Sequence, residues 1–313
     1  MSISNKPILI TGSNRSGSTW VGKVIGEHRK VLYFHEPFNV IMAETGYGRE
    51  LPRWFIHAPD WDETYLRDYI STVLTPPHGA YWNNPPSGPA ESFLRFAKAT
   101  VRKFVFKHRI LIKDPVALFS TDWLVDTFGF IPVIIVRHPA SYVLSVRNDP
   151  SHMHSFRSVF IEQPRLISRF TPEDIDLIHA VVELQENGSG GNIVFEAAVF
   201  WRLFHRYILQ FRDQLGDAAV LIKYEDLATD PLGGFQDLFR RVGLSWSPSA
   251  GKKIRETALV KGRDNMDLSS HVKSFDSSKN ISRWKADLSK GDIEEVRSVV
   301  EPVSCQFYGE EDW

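Results

Sequence analysis

Cysteine is nearly missing: Cys305 is the only one in 313 residues. One thiol excludes an intramolecular disulfide and a cysteine-cluster metal site, and it suits a reducing compartment. No run of about 18 apolar residues occurs, so no membrane span is expected. No basic-apolar leader precedes the first apolar run, and an unprocessed, soluble, cytoplasmic chain is expected. Charge of neither sign dominates, with 37 Lys and Arg against 38 Asp and Glu. An overall pull toward nucleic acid is therefore not expected. Repeats and blocks of like charge are absent too, so nothing marks a domain boundary. Hydrophobic residues make up 42%, ample for one core, and a single domain over residues 1–313 is expected.

What is present begins with Pro7 to Gly26, PILITGSNRSGSTWVGKVIG. Ile8, Leu9 and Ile10 form a short apolar run, the mark of a buried parallel strand. Gly12 to Gly17 is a small polar loop. Ser18 and Thr19 open a helical pattern through Trp20, Val21, Val24 and Ile25, which Gly26 can stop. Strand, glycine loop and helix together make an anion cradle, because loop N–H groups and the positive helix end converge. The frame resembles a Walker A loop with one departure. A nucleoside triphosphatase carries Lys before the Ser/Thr, and here that position is Ser18, the cation having moved into the loop as Arg15. A plain glycine turn would carry similar letters, so the rest of the chain has to decide.

Val31 to Phe34 reads as a second strand, followed by His35-Glu36-Pro37-Phe38. Carboxyl ends of parallel strands line the ligand crevice of open α/β sheets. Glu36 is thus either a general base or a solvated strand-end acid. Ala43 to Pro89 is irregular and aromatic, broken by Pro76-Pro77 and Pro85-Pro86, with a short helix over Trp61 to Val73. Together with the segment up to residue 109 it reads as a substrate-lid insertion or as a mini-core over a sheet edge. Glu91 to Arg109 reads as an amphipathic basic helix with Lys98, Arg102, Lys103 and Lys107. Its cations form a solvated face or meet an anionic acceptor or lipid headgroup, so peripheral membrane contact stays open.

Ile110 to Ile112 is a third strand ending in Lys113-Asp114-Pro115, and Phe119 to Phe128 is a helix closed by Gly129. Ile131 to Val136 is the most apolar strand, suited to the sheet interior. It ends Arg137-His138-Pro139, and Pro139 suits the first turn of a helix running to Asn148. A Walker B strand would end in Asp to hold magnesium; this one ends in Arg137, eight residues before Ser145. The second anchored group is therefore expected to be an anion. His152 and His154 lack a spaced carboxylate or cysteine partner and are not expected to bind metal. Helices follow over Thr171–Asn187 and Ile193–Leu215, then a strand over Ala219–Lys223 and helices over Pro231–Val242 and Ser289–Pro302. The aromatic stripe Phe195, Phe200, Trp201, Phe204, Tyr207 and Phe211 is core, not a ligand cage. Strands alternating with helices imply an α/β fold, a mostly parallel central sheet covered on both faces.

Taken together, these stretches resemble the sulfotransferases that use 3′-phosphoadenosine 5′-phosphosulfate (PAPS). Gly12-Ser-Asn-Arg15-Ser-Gly17-Ser-Thr-Trp20 is similar to their 5′-phosphosulfate loop. Val133 to Ser145 is similar to their 3′-phosphate motif. Ile222-Lys-Tyr224-Glu-Asp-Leu227 and Ile281-Ser-Arg-Trp284-Lys are similar to a strand-end stretch and to a C-terminal segment that covers the cofactor. Arg15 in the loop, Lys113-Asp114-Pro115 without His, and Glu36 placed 21 residues after Arg15 resemble the tyrosylprotein and Golgi carbohydrate branches. The lack of an anchor suggests a soluble bacterial-type relative.

The resemblance implies a P-loop-containing fold and a set of roles. Glu36 would be the base, with Arg15 and Lys113 stabilising the transferring group. Asn14, Arg15, Ser16, Gly17, Ser18 and Thr19 would hold the 5′-phosphate. Arg137 and Ser145 would clamp the 3′-phosphate. Trp20 and Tyr224 would touch adenine, and Ser278 and Lys279 would close over the phosphates. The implied cofactor is PAPS, leaving as adenosine 3′,5′-bisphosphate, with no metal. The implied acceptor is a hydroxyl, on a sugar or glycoconjugate, with peptide tyrosine and lipid or small-metabolite alcohols as alternatives. A kinase and a non-catalytic nucleotide-binding protein are the competing classes.

Overall fold

The structure, a computed structural model, describes residues 5–75, 108–187, 191–258 and 279–313, with Leu94 and Ala97 between them. Five parallel strands form its sheet. They are β1 (Ile8–Gly12), β2 (Val31–His35), β3 (Arg109–Lys113), β4 (Ile131–Val136) and β5 (Val220–Lys223). Their order is β2-β3-β1-β4-β5. The most apolar strand, β4, lies inside the sheet as expected, but β1 is its centre.

The chain steps to one side of β1 for β2 and β3 and to the other for β4 and β5. The carboxyl end of β1 is therefore a topological switch point, where two loops diverge and leave a crevice. Each strand end delivers a residue singled out above: the glycine loop after β1, Glu36 after β2, Lys113 ending β3, Arg137 after β4 and Tyr224 after β5.

Both faces of the sheet are buried, which is why its strands read as continuous apolar runs rather than alternations. Leu9, Ile134 and Val136 point into the larger core. Ile8, Ile10, Val133 and Ile135 point into the other. The smaller core is closed by α1 (Ser18–Gly26) through Val21, Val24 and Ile25. The larger contains α2 (Val40–Tyr47), α3 (Glu63–Val73), α4 (Thr121–Phe128), α5 (Pro139–Asn148), α6 (Pro172–Glu186) and α7 (Ile193–Leu215). The aromatic stripe of α7 lies inside it, with Phe200, Trp201, Phe204 and Tyr207 buried. Each fully buried side chain of that size is worth about 1.5–3 kcal/mol. After β5 come α8 (Tyr224–Thr229), α9 (Pro231–Arg241), α10 (Pro248–Ala258) and α11 (Lys290–Ser304).

Two expectations change. Arg109 is not the end of a solvated basic helix but the first residue of β3. It is buried, and its guanidinium donates to the Lys6 and Val242 carbonyls. Burial lowers its pKa to about 10, and carbonyl partners tie down a charge that core packing surrounds. Lys98, Arg102, Lys103 and Lys107 lie outside the described residues. The stretch from Ala43, read as irregular before a short helix over Trp61 to Val73, also contains α2 and a turn over Ala58–Asp60, and the expected helix is α3. Phe55, Ile56, Leu66, Tyr69 and Ile70 of that stretch are buried in the larger core. The residues from 76 to 93 lie outside the described set.

Gly12 illustrates how closely the strands fit. Its φ is +139°, and a Cβ there would come 2.3 Å from the Ile135 carbonyl oxygen of β4. Gly12→Ala is expected to destabilise the protein by about 3 kcal/mol, read as a lowered denaturation midpoint at unchanged slope.

Candidate functional site

Two clusters of charge occupy the crevice at the carboxyl ends of the strands. The first joins the ends of β2 and β3. Lys113, only 1% exposed, hydrogen-bonds Glu36 Oε1. Asn39 Nδ2 donates to Glu36 Oε2 at 2.8 Å, while its own Oδ1 caps α2 through the Ile41 and Met42 amides. Glu36 sits at φ 46°, in the left-handed region, a conformation costly for a non-glycine residue. Backbone and side-chain bonds hold it there. Glu36 N donates to the Lys113 carbonyl at 2.8 Å. The fully buried Asp114 accepts the Phe38 amide at 2.5 Å and the Val116 amide at 2.9 Å, tying the turn after β2 to the turn after β3.

The electrostatics divide these two acids. Burial pushes the Glu36 carboxyl up, but Lys113, His35 and the two hydrogen bonds outweigh it, so its pKa falls below 4.5. Burial, then the Glu36 charge, pushes Asp114 up to about 8. A protonated Asp114 still accepts both amides and leaves the Lys113 charge to Glu36. Glu36 is thus an ionised carboxylate held by one ammonium, a group able to accept a proton. His35 Nε2 lies 3.9 Å from Glu36 Oε1, with its Nδ1 3.0 Å from the Tyr33 hydroxyl.

The second cluster joins the glycine loop to β4 and α5. Arg15 adopts φ 63° and turns its guanidinium toward α5, where Nε donates to Ser145 Oγ at 2.9 Å. Arg137 Nη1 donates to the Arg15 carbonyl at 2.9 Å, and its guanidinium lies 4.9 Å from the Tyr224 ring centre. Arg137 and Ser145 thus both meet Arg15, the first at its carbonyl and the second at its guanidinium. Arg15 meets Ser145 and not Lys113, so it belongs to this cluster. Burial lowers the Arg15 pKa, Asp149 opposing and Arg137 adding to the shift. Two arginines this close favour an anion beside them.

Several polar groups here have no protein partner among the described residues. They are the buried hydroxyls of Thr11, Ser13 and Ser16 and the Nε of Arg137. Buried polar atoms are rarely left unpaired, and their absence of partners points to a ligand. Gly17, at φ 97°, begins α1 without a side-chain cap, so the amides of Ser18 and Thr19 meet no capping oxygen. A Cβ on Gly17 would come 2.6 Å from the Tyr224 ring, so only glycine admits that ring against the loop. The donor set fits a nucleotide phosphate.

The remaining residues are placed as follows. Asn14 accepts the Tyr142 hydroxyl at 3.0 Å and donates to the His152 carbonyl at 2.9 Å. Trp20 is edge-on to Tyr224 and Phe235, its indole N–H donating to Thr257 Oγ1 at 3.0 Å. Ser278 lies outside the described residues, and Lys279 opens a single helical turn, Lys279–Ser282. Trp284 stacks on His138 at 4.8 Å, which fastens the chain after that turn to the start of α5. Sequence reasoning named Asp114 only as part of the strand-end pair and weighed His152 only as a metal ligand; it gave no role to Asn39 or to Glu225, which accepts the His138 amide at 2.9 Å. Asn39 alone carried a signal, a capping residue three positions after Glu36. Among the described residues no group of three or more His, Cys, Asp or Glu is placed to hold a metal ion. No helix among them is long and apolar enough to cross a membrane.

The Sulfotransferase family profile matches residues 7–248. Among solved structures, the sulfotransferase domain of the curacin biosynthetic pathway aligns at 15% identity and a TM-score of 0.50, over 95% of this chain and 97% of that one. The sulfotransferase domain of the Synechococcus PCC 7002 olefin synthase aligns at 16% identity and a TM-score of 0.44, covering 94% of each chain. A mouse sulfotransferase complexed with PAP aligns at 12% identity and a TM-score of 0.47, over 96% of this chain and 84% of that one. No curated protein matches.

Proposed function

The chain belongs to the sulfotransferase family, and from that premise we propose that it moves a sulfuryl group from PAPS to an acceptor hydroxyl within one domain. The observation that carries the choice of donor is the cluster of Arg15, Arg137 and Ser145 beside the unpartnered loop hydroxyls. It supports a second anchor for an anion beside the one at the helix N-terminus, as a nucleotide phosphorylated at both ends of its ribose requires.

When bound, this donor supplies an activated sulfuryl group on its 5′-phosphate. The loop amides with Ser16, Ser18 and Thr19 hold that phosphate. Arg137 and Ser145 would hold the 3′-phosphate, with Arg15 beside them. Glu36 would take the proton of the acceptor hydroxyl as that oxygen bonds to sulfur and the 5′-phosphate oxygen leaves with the electron pair. Lys113 neutralises charge gathering on the sulfuryl and bridging oxygens. A single proton moves, onto Glu36, and the electron pair leaves on the 5′-phosphate.

The acceptor in this reading is a sugar or glycoconjugate hydroxyl. Its support is Trp54, half-buried and 4.7 Å from the ring of His154, two residues past the loop contact at His152. A flat aromatic face of that kind stacks on sugar rings.

Calorimetry with adenosine 3′,5′-bisphosphate, ADP and ATP, without magnesium, tests the donor. The bisphosphate is expected to bind alone or by far the tightest. Arg137→Ala is expected to weaken it by at least about tenfold, the range for a charge-assisted bond, while leaving ADP unchanged. Preference for ATP would overturn the assignment.

A further inference from the structure

His152 stands in an arrangement that the chemistry above does not use. Its Nε2 lies 3.0 Å from Arg15 Nη1 and 3.2 Å from Asp149 Oδ2. Its backbone carbonyl accepts the Asn14 amide at 2.9 Å, and its amide donates to the Asp149 carbonyl at 3.4 Å. The turn after α5 thus grips consecutive residues of the glycine loop, Asn14 by backbone and Arg15 by side chain. Arg15 needs such support, because its φ of 63° is unfavourable for a residue with a side chain.

One nitrogen cannot serve both neighbours. With a lone pair it accepts from Arg15; with a proton it can only donate, to Asp149. The groups around it are Arg15 from the loop, Asp149 from its own turn, Glu36 from the turn after β2 and His154 two residues on; Arg137 acts on Arg15 from the end of β4. Burial and then the Arg15 charge lower the His152 pKa from 6.5, Asp149 and Glu36 opposing. At neutral pH the ring is therefore uncharged and free to accept.

Resting on the PAPS reading, we propose that His152 is a positioning residue. Its neutral Nε2 accepts the Arg15 Nη1 hydrogen and so holds the guanidinium beside Ser145 for the cofactor's phosphate. Protonation reverses the contact. The imidazolium then pairs with Asp149, repels Arg15, and competes for the carboxylate that lies 3.9 Å from Arg15 Nη1, so the guanidinium loses its hydrogen bond from this turn.

Two variants separate this role from a merely structural one. His152→Gln keeps an acceptor that does not titrate; His152→Ala keeps none. The dissociation constant of adenosine 3′,5′-bisphosphate is measured for wild type and both variants from pH 8 to pH 5.5. Every protein meets the same titration of the ligand's phosphates, so ratios between proteins isolate residue 152. At pH 8 the glutamine variant is expected to match wild type, and the alanine variant to bind about fivefold more weakly, the worth of one hydrogen bond. Below pH 6.5 wild type is expected to weaken relative to the glutamine variant, by up to about tenfold per pH unit. A ratio moving the other way would mean that the imidazolium binds the phosphate directly, and would overturn the proposal. So would equal binding by all three proteins at every pH. Failure of the wild type to bind at any pH would instead remove the PAPS reading, and this inference with it. Thermal unfolding of each variant identifies a fold defect, and the pH-dependent ratio to the glutamine variant still decides the matter for a folded wild type.

Discussion

Replacing Glu36 by glutamine lowers kcat for sulfuryl transfer by about a hundredfold to ten-thousandfold, the range for losing a positioned general base. The bisphosphate dissociation constant stays within about twofold, because an amide in place of the carboxylate leaves the phosphate donors intact. The substitution is nearly isosteric, and Asn39 can still meet an oxygen at that position, as it does Oε2 at 2.8 Å. What disappears is the ability to take a proton. The measurement is single-turnover transfer from labelled PAPS to an accepted hydroxyl compound, beside calorimetry on the same preparation. Intact transfer by Glu36→Gln would show that the proton goes elsewhere.

Replacing Lys113 by methionine has two expected effects. The first is a fall in kcat of about a hundredfold or more, as the role proposed for Lys113 at the transferring group requires. The second concerns pH. In the wild type burial raises the Glu36 pKa, and Lys113, His35 and the Lys113 and Asn39 hydrogen bonds together outweigh it and lower it, so the acid limb of kcat/KM, which reports the free enzyme's base, is displaced toward lower pH. Without the ammonium, burial is left to act on Glu36, and that limb moves upward. Lys113→Arg keeps the charge and is expected to leave the limb near its wild-type position. Stability follows the same sign. A depressed carboxylate stabilises the fold above its unfolded value and loses that contribution as pH falls through its folded value. Lys113→Met is therefore expected to destabilise by about 3 kcal/mol at neutral pH, and the difference from wild type shrinks below pH 4.5. Denaturant unfolding across pH reads it, and a pH-independent difference would mean that lost packing around the lysine stem, not lost pairing, is responsible.

Elements with a strong local period were legible from the letters alone. Ile193–Leu215 is a helix over those residues, because its apolar positions recur at helical spacing and Asn192 caps it. The helix over Ser18–Gly26 likewise starts after the loop glycine and ends at Gly26. Helices without such a stripe were passed over. Val40–Tyr47 is apolar nearly all round, so it shows no period, and only its packing under Asn39 and in the core makes it a helix. Tyr224–Thr229 is too short for a period to show.

The same division runs through the site. The spacing of Gly12 and Gly17, the arginine in place of a Walker B acid, and a carboxylate after the second strand were readable as chemistry, because each depends on residue type at a strand end. The direction of Arg15 was not. Its contact with Ser145 spans 130 residues and depends on α5 folding back along the glycine loop. Nor could the letters separate Glu36 from Asp114. Both are acids one residue past a strand end, yet one is an ionised partner of Lys113 and the other is buried with two amides. Local sequence determined the strands and the strongly periodic helices and which residues stand at their ends, since period, caps and turns act over a few residues. The order of the strands around β1 decided the rest: it sets which strand ends are neighbours, and charges, unlike periodicities, acquire their meaning from neighbours distant in the chain.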